Sequence, residues 1–172
     1  MKSVLQRLLR QESLRPIDAQ TLVEHLADGE ISAPLLAGVL VALEAKGIDG
    51  GELYELAGQL LRRSVPLAGG PVSCVDTCGT GGDGMSTVNV SSASALVLAA
   101  MGVPVAKHGN RSVSSSCGSA DVFEAGGLRL GLDPGQERRI FDRTGFTYLH
   151  APQHHPAVGR VGPVRRELGV RT

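Results

Sequence analysis

The chain has 172 residues, room for one ordinary domain or for a small domain joined to part of another. Its 17 basic and 17 acidic residues cancel, and aromatic residues make up 3% with no Trp, which argues against nucleic-acid binding through net charge or base stacking. At 42% hydrophobic it should bury a core; no segment approaches a membrane span, and three cysteines without a secretory signal predict a reduced, cytoplasmic setting.

Residues 1 to about 64 read as helical. Val4, Leu5, Leu8 and Leu9 form a first apolar stripe, and Ala19, Leu22, Val23 and Leu26 a second that Asp28-Gly29 closes. Ser32 is placed to cap a third helix carrying Leu36, Val39, Leu40 and Leu43 and ending at Gly47. Asp49 and Glu52 have capping-box spacing before a fourth, with Leu53, Leu56, Leu60 and Leu61. Nothing in this block is chemical in character, and it reads as a packing or dimerisation domain. Residues 65–71, Val-Pro-Leu-Ala-Gly-Gly-Pro, then form a linker or hinge.

From 72 to 172 the pattern becomes strand, loop and helix in repetition. Strands are expected at Val72–Val75, Val103–Ala106 and Phe146–Leu149, and helices at Ser91–Met101, around Ala120–Ala125, and from Asp133-Pro134 through Phe141. His154-His155-Pro156 reads as a turn entering a further helix. The fold class is therefore α/β: a small helical N-terminal domain followed by a partial, truncated parallel-sheet domain whose ligands lie at the carboxyl ends of the strands.

The most informative stretch is Asp76-Thr77-Cys78-Gly79-Thr80-Gly81-Gly82-Asp83-Gly84, between a strand and a helix. Its four glycines allow close backbone approach, and amides at a helix entry suit an anion such as phosphate. Gly79-x-Gly81-x-x-Gly84 matches the dinucleotide fingerprint in form, but Lys107-His108 stand where an acidic residue should hold the ribose, and Ser86, Thr87, Asn89, Ser91 and Ser92 make the helix entry hydroxyl-rich. Met85 occupies the position of the P-loop lysine and excludes that motif. Lys107-His108-Gly109-Asn110-Arg111 follows the next strand and brings two cations to the same sheet edge, with Ser112, Ser114, Ser115 and Ser116 beyond. The plainer readings are a glycine-rich surface turn and a polar loop with solvated charges; convergence on one edge favours a phosphate site. Cys74, Cys78 and Cys117 lack zinc spacing, and Cys74 is expected buried in its strand.

Gly79 to Gly84, Asn89-Val90-Ser91-Ser92, Lys107 to Arg111, Gly118-Ser119-Ala120-Asp121-Val122, and His155-Pro156 with Pro163 to Gly169 resemble, in order, the motifs of the anthranilate phosphoribosyltransferase family. The resemblance covers essentially the whole chain. It implies transfer of a phosphoribosyl group from phosphoribosyl pyrophosphate to anthranilate in tryptophan biosynthesis, with Mg²⁺ and a fold shared with pyrimidine nucleoside phosphorylases. By it, Gly79, Gly82, Asp83, Thr87, Asn89, Ser91, Ser92, Lys107 and Ser119 would hold phosphoribosyl pyrophosphate, and Ser91 would also touch Mg²⁺. Gly79, Asn110 and Arg165 would meet anthranilate, Arg165 pairing its carboxylate; no residue is nominated as a dedicated acid or base.

Two departures stand out. Ser92 replaces the family's usual Thr, keeping the hydroxyl. The family's chain is also about twice as long, and its later Asp-Glu pair for Mg²⁺ has no counterpart here. The expectation is the N-terminal half of such an enzyme, a homodimer through its N-terminal helices, whose activity alone is a separate question. A nucleoside phosphorylase-like enzyme and a non-catalytic binding or dimerisation module are the alternatives.

Overall fold

Four helices form where the apolar stripes predict them: α1 (Lys2–Leu9), α2 (Pro16–Asp28), α3 (Ala33–Lys46) and α4 (Gly50–Arg62). Pro16 opens α2, and Gly29 closes it in the left-handed conformation at φ 75°. At α4 the Asp49 carboxylate accepts from the Glu52 amide at 2.9 Å while Glu52 accepts from the Asp49 amide at 3.0 Å, the reciprocal box its spacing predicts. Ser32 stands at the N-cap of α3 but its side chain makes no capping bond.

The computed structural model of the chain describes residues 1–79, 88–111 and 117–169. The chain divides into two compact units, Met1–Ser64 with His155–Thr172, and Val65–His154. In the first, α1 to α4 enclose Val4, Leu8, Leu22, Val23, Leu36, Val39, Leu40 and Leu43. The last helix, α9 (Pro156–Leu168), joins them through Ala157, Val161 and Val164, so it packs with the helices rather than with the α/β segment preceding it in sequence. No helix among the described residues is long and apolar enough to cross a membrane.

The second unit contains α5 (Val90–Ala100), β1 (Val105–Gly109), α6 (Ser119–Ala125), α7 (Pro134–Thr144), β2 (Phe146–His150) and the one-turn α8 (Ala151–His154). β1 and β2 pair in parallel from Val105 opposite Phe146 to Gly109 opposite His150. Ala95 of α5, Val105 of β1, Ala120 and Phe123 of α6, and Phe146 and Tyr148 of β2 form its core, with both other rings tilted against Phe123 at centroid distances of 5.5 and 5.1 Å.

Three details differ from the sequence pattern. The apolar run Val72–Val75 contributes only one bridge, Val75 beside Val105, because residues 72–74 find no ladder partner; Cys74 is consequently exposed, not buried in a strand. β1 starts two residues later than its hydropathy suggests: Val103 closes α5 by donating to Leu98, and Pro104 has no N–H for a ladder. The strand instead extends through Lys107, His108 and Gly109, so the first basic residues are strand rather than loop.

Candidate active site

In β1, Val105, Lys107 and Gly109 share one face by the two-residue period of a strand. That face meets the entrances of α5 and α6. Lys107 is 1% exposed, and its Nζ donates to Ser91 Oγ at 3.3 Å in the first turn of α5. Among the described residues no carboxylate forms an ion pair with it. Burial pushes the Lys107 ammonium below the ordinary lysine value, opposed by the nearby Cys78 and Asp76. Ser92, also 1% exposed, has a buried hydroxyl without a hydrogen-bond partner among the described residues. Such groups in a folded interior call for an anion or an acceptor.

The remaining contacts lock the surrounding backbone. Thr77 Oγ1 donates to the Ser91 carbonyl at 2.8 Å, joining the start of the glycine loop to α5. Asn89, at the N-cap of α5, donates from Nδ2 to the Cys117 carbonyl at 3.4 Å. Ser119 opens α6, donating to the Asn110 carbonyl at 3.3 Å with its Oγ 3.1 Å from the Tyr148 hydroxyl. A Cβ at Gly109 would run into Ser119 Oγ and stand 2.7 Å from the Tyr148 oxygen, so this position admits only glycine without rearrangement. At Gly79 no described residue lies within 4 Å of where a Cβ would be, leaving that backbone open to approach.

Ser91 and Lys107 are thus in direct contact, Asn89 reaches the segment leading into α6, and Ser119 is bonded to Asn110. Gly82, Asp83 and Thr87 lie outside the described residues, as do Ser112, Ser114, Ser115 and Ser116. Arg165 is half-buried in the last turn of α9 and belongs to the first unit. The Arg111 guanidinium is bound to Asp121 at 2.7 Å and Glu124 at 2.8 Å on α6. Those acids lie 10 and 13 residues further on, beyond any local pattern. Gly109 and Tyr148 are supporting residues that residue type alone does not single out.

Among the described residues no group of three His, Cys, Asp or Glu could hold a metal ion. The side-chain oxygens described around Lys107 are mainly hydroxyls, those of Ser91, Ser92 and Ser119. Such a set fits a Mg²⁺ that keeps its waters and arrives on substrate phosphates, and does not fit a dedicated protein cage.

Similarity to known proteins follows the same lines. Residues 2–64 match a family model described as glycosyl transferase family, helical bundle domain, and residues 72–172 match its a/b domain. The chain is 45% identical over 170 residues to an anthranilate phosphoribosyltransferase of Methanopyrus kandleri, covering 99% of this chain and 50% of that protein. A bifunctional protein of Thermotoga maritima is 45% identical over 99% of this chain, which covers 29% of it. Among solved structures, an anthranilate phosphoribosyltransferase from Thermus thermophilus superposes with TM-score 0.84 at 41% identity, over 98% of this chain and 51% of the other. The Saccharomyces cerevisiae enzyme in complex with PRPP and Mg gives TM-score 0.79 at 25% identity, over 99% and 51%. The chain spans about half the length of these phosphoribosyltransferases.

Proposed function

The chain belongs to the glycosyl transferase family defined by a helical bundle domain and an a/b domain, and from that premise we propose that it serves phosphoribosyl transfer from phosphoribosyl pyrophosphate to the amine of anthranilate. The observation that carries the reading is Lys107: an ammonium 1% exposed, facing a hydroxyl at the N-terminus of α5. A buried cation without a carboxylate is stable where an anionic ligand completes it, and the helix end adds amides and a positive dipole. The relatives' substrate supplies such an anion.

Loss of pyrophosphate from C1 of the ribose builds positive charge on the sugar and negative charge on the leaving group. Lys107, with the hydroxyls of Ser91, Ser92 and Ser119 and the Asn89 amide, would hold that negative charge; the open Gly79 backbone would let the ligand approach, and Gly82, Asp83 and Thr87 complete the proposed set. Mg²⁺, touching Ser91, would neutralise part of the leaving group's charge. Gly79, Asn110 and Arg165 would orient anthranilate, Arg165 through its carboxylate. The aromatic amine is already a nucleophile, so positioning and electrostatics suffice without a protein base.

We also propose a cytoplasmic protein that dimerises through its N-terminal helices, a reading supported by the exposed Leu53, Tyr54 and Leu61 along α4; a monomer in light scattering would contradict it.

The test is calorimetry with phosphoribosyl pyrophosphate and Mg²⁺, then anthranilate fluorescence with the remaining half of a relative supplied as a second polypeptide. Binding by the chain and turnover by the mixture are expected. Absence of binding would overturn the reading.

A further inference from the structure

The glycine loop leaves the sheet at a defined point. Val75 pairs with β1 as a parallel strand should: its amide donates to Pro104 at 2.9 Å, and its carbonyl accepts from Ala106 at 3.1 Å. The next amide of β1 on that edge is His108, and an unbroken parallel ladder would send it to the Thr77 carbonyl. It goes instead to the Asp76 carboxylate, with His108 N–H donating to Oδ1 at 3.1 Å. The same Oδ1 accepts from the Cys78 amide at 2.9 Å, an Asx turn that bends the chain out of the sheet. One oxygen therefore caps the ladder and starts the loop.

Its two donors flank residues of the proposed site. Cys78 immediately precedes Gly79, and His108 immediately follows Lys107. Nothing else described ties the 76–79 backbone to the carboxyl end of β1, while Thr77 ties it to α5.

We propose that Asp76 is a positioning residue: its carboxylate fixes the exit of the glycine loop against the end of β1, setting the Gly79 backbone at the right distance from the Lys107 ammonium for one phosphorylated ligand to touch both. The proposal rests on the phosphoribosyl pyrophosphate reading for its ligand and on this chain's own contacts for its geometry.

Charge and position make opposite forecasts here. If Asp76 acted only as a negative charge near a polyanion site, removing it would tighten binding. If it acts as an anchor, Asp76→Ala weakens binding, whereas Asp76→Asn, which keeps an acceptor oxygen in place, restores it. The experiment measures phosphoribosyl pyrophosphate–Mg²⁺ affinity of wild type, D76A and D76N by calorimetry, with amide hydrogen exchange at His108 in each. D76A should bind about tenfold more weakly, in line with losing hydrogen bonds to a charged acceptor, and D76N within about threefold of wild type. The His108 amide should be protected in wild type and D76N and exchange faster in D76A. Wild-type affinity in D76A, or D76N as weak as D76A, would overturn the proposal. If wild type does not bind while His108 protection still depends on Asp76, the ligand reading fails and the anchor stands.

Discussion

Glu52 in the helical unit and Lys107 at the end of β1 are both charged and almost fully buried, at 2% and 1% exposure, yet their surroundings are opposite. Glu52 accepts from the Leu14 amide at 2.7 Å, the Asp49 amide at 3.0 Å and the Lys46 ammonium at 2.6 Å. Burial works against its ionised form, but Lys46 and the two amides outweigh it and hold the carboxyl below the usual range. Among the described residues Lys107 has one hydroxyl, and burial pushes its pKa down. A buried charge completed by its own chain is holding the fold together; one left to a hydroxyl is waiting for a ligand.

The largest effect expected from this contrast is on stability in the first unit. Glu52→Ala leaves Lys46, whose side chain is 8% exposed, without its partner, and strips two amides of their acceptor. Urea unfolding should show a loss of about 3–5 kcal/mol, the range for breaking a buried pair. A loss below about 1 kcal/mol, the scale of a surface ion pair, would dissolve the contrast from the structural side.

His154 offers a smaller, pH-dependent test, because it lies in the second unit but is completed like Glu52. Its Nε2 is 2.9 Å from Glu137 Oε2 and its Nδ1 is 2.7 Å from the Val65 carbonyl, with 5% of the residue exposed. Both ring nitrogens face acceptors, a geometry satisfied by the imidazolium. The hydrogen bond that His154 donates to Glu137 raises its pKa in the fold against the opposing effect of burial. The stabilisation is therefore full below the ordinary histidine value of about 6.5 and is lost as pH rises through the higher folded value. His150 nearby is pushed down by burial, so its own contribution runs the other way, at pH below the ordinary value. Comparing urea midpoints of wild type and His154→Gln from pH 5.5 to 9 cancels His150, with the range chosen to bracket about 6.5. The advantage of wild type should shrink as pH rises; a constant difference would contradict the pair.

Much of the helical unit was legible because its signals are local. The apolar period, Gly29, Gly47 and the Asp49–Glu52 box lie within a few residues of what they control. β1 was harder to place, since its partner β2 starts 41 residues after Val105 and its inner face carries Lys107, which hydropathy reads as loop. The Arg111 and His154 pairings and the short helix α8 had no local signature for the same reason. Of the candidate site, the glycine loop and the basic strand end stood out by residue type. The roles of Asp76, Gly109 and Tyr148 depend on the approach of separate segments, which spacing in one chain does not encode.

The contrast is tested most directly by Lys107→Met, which keeps the length and bulk of the side chain and removes its charge. Urea unfolding should show stability unchanged or raised, while calorimetry shows affinity for phosphoribosyl pyrophosphate–Mg²⁺ reduced about tenfold or more. A variant destabilised by about 3 kcal/mol that still binds the ligand like wild type would make Lys107 a second Glu52 and contradict the account.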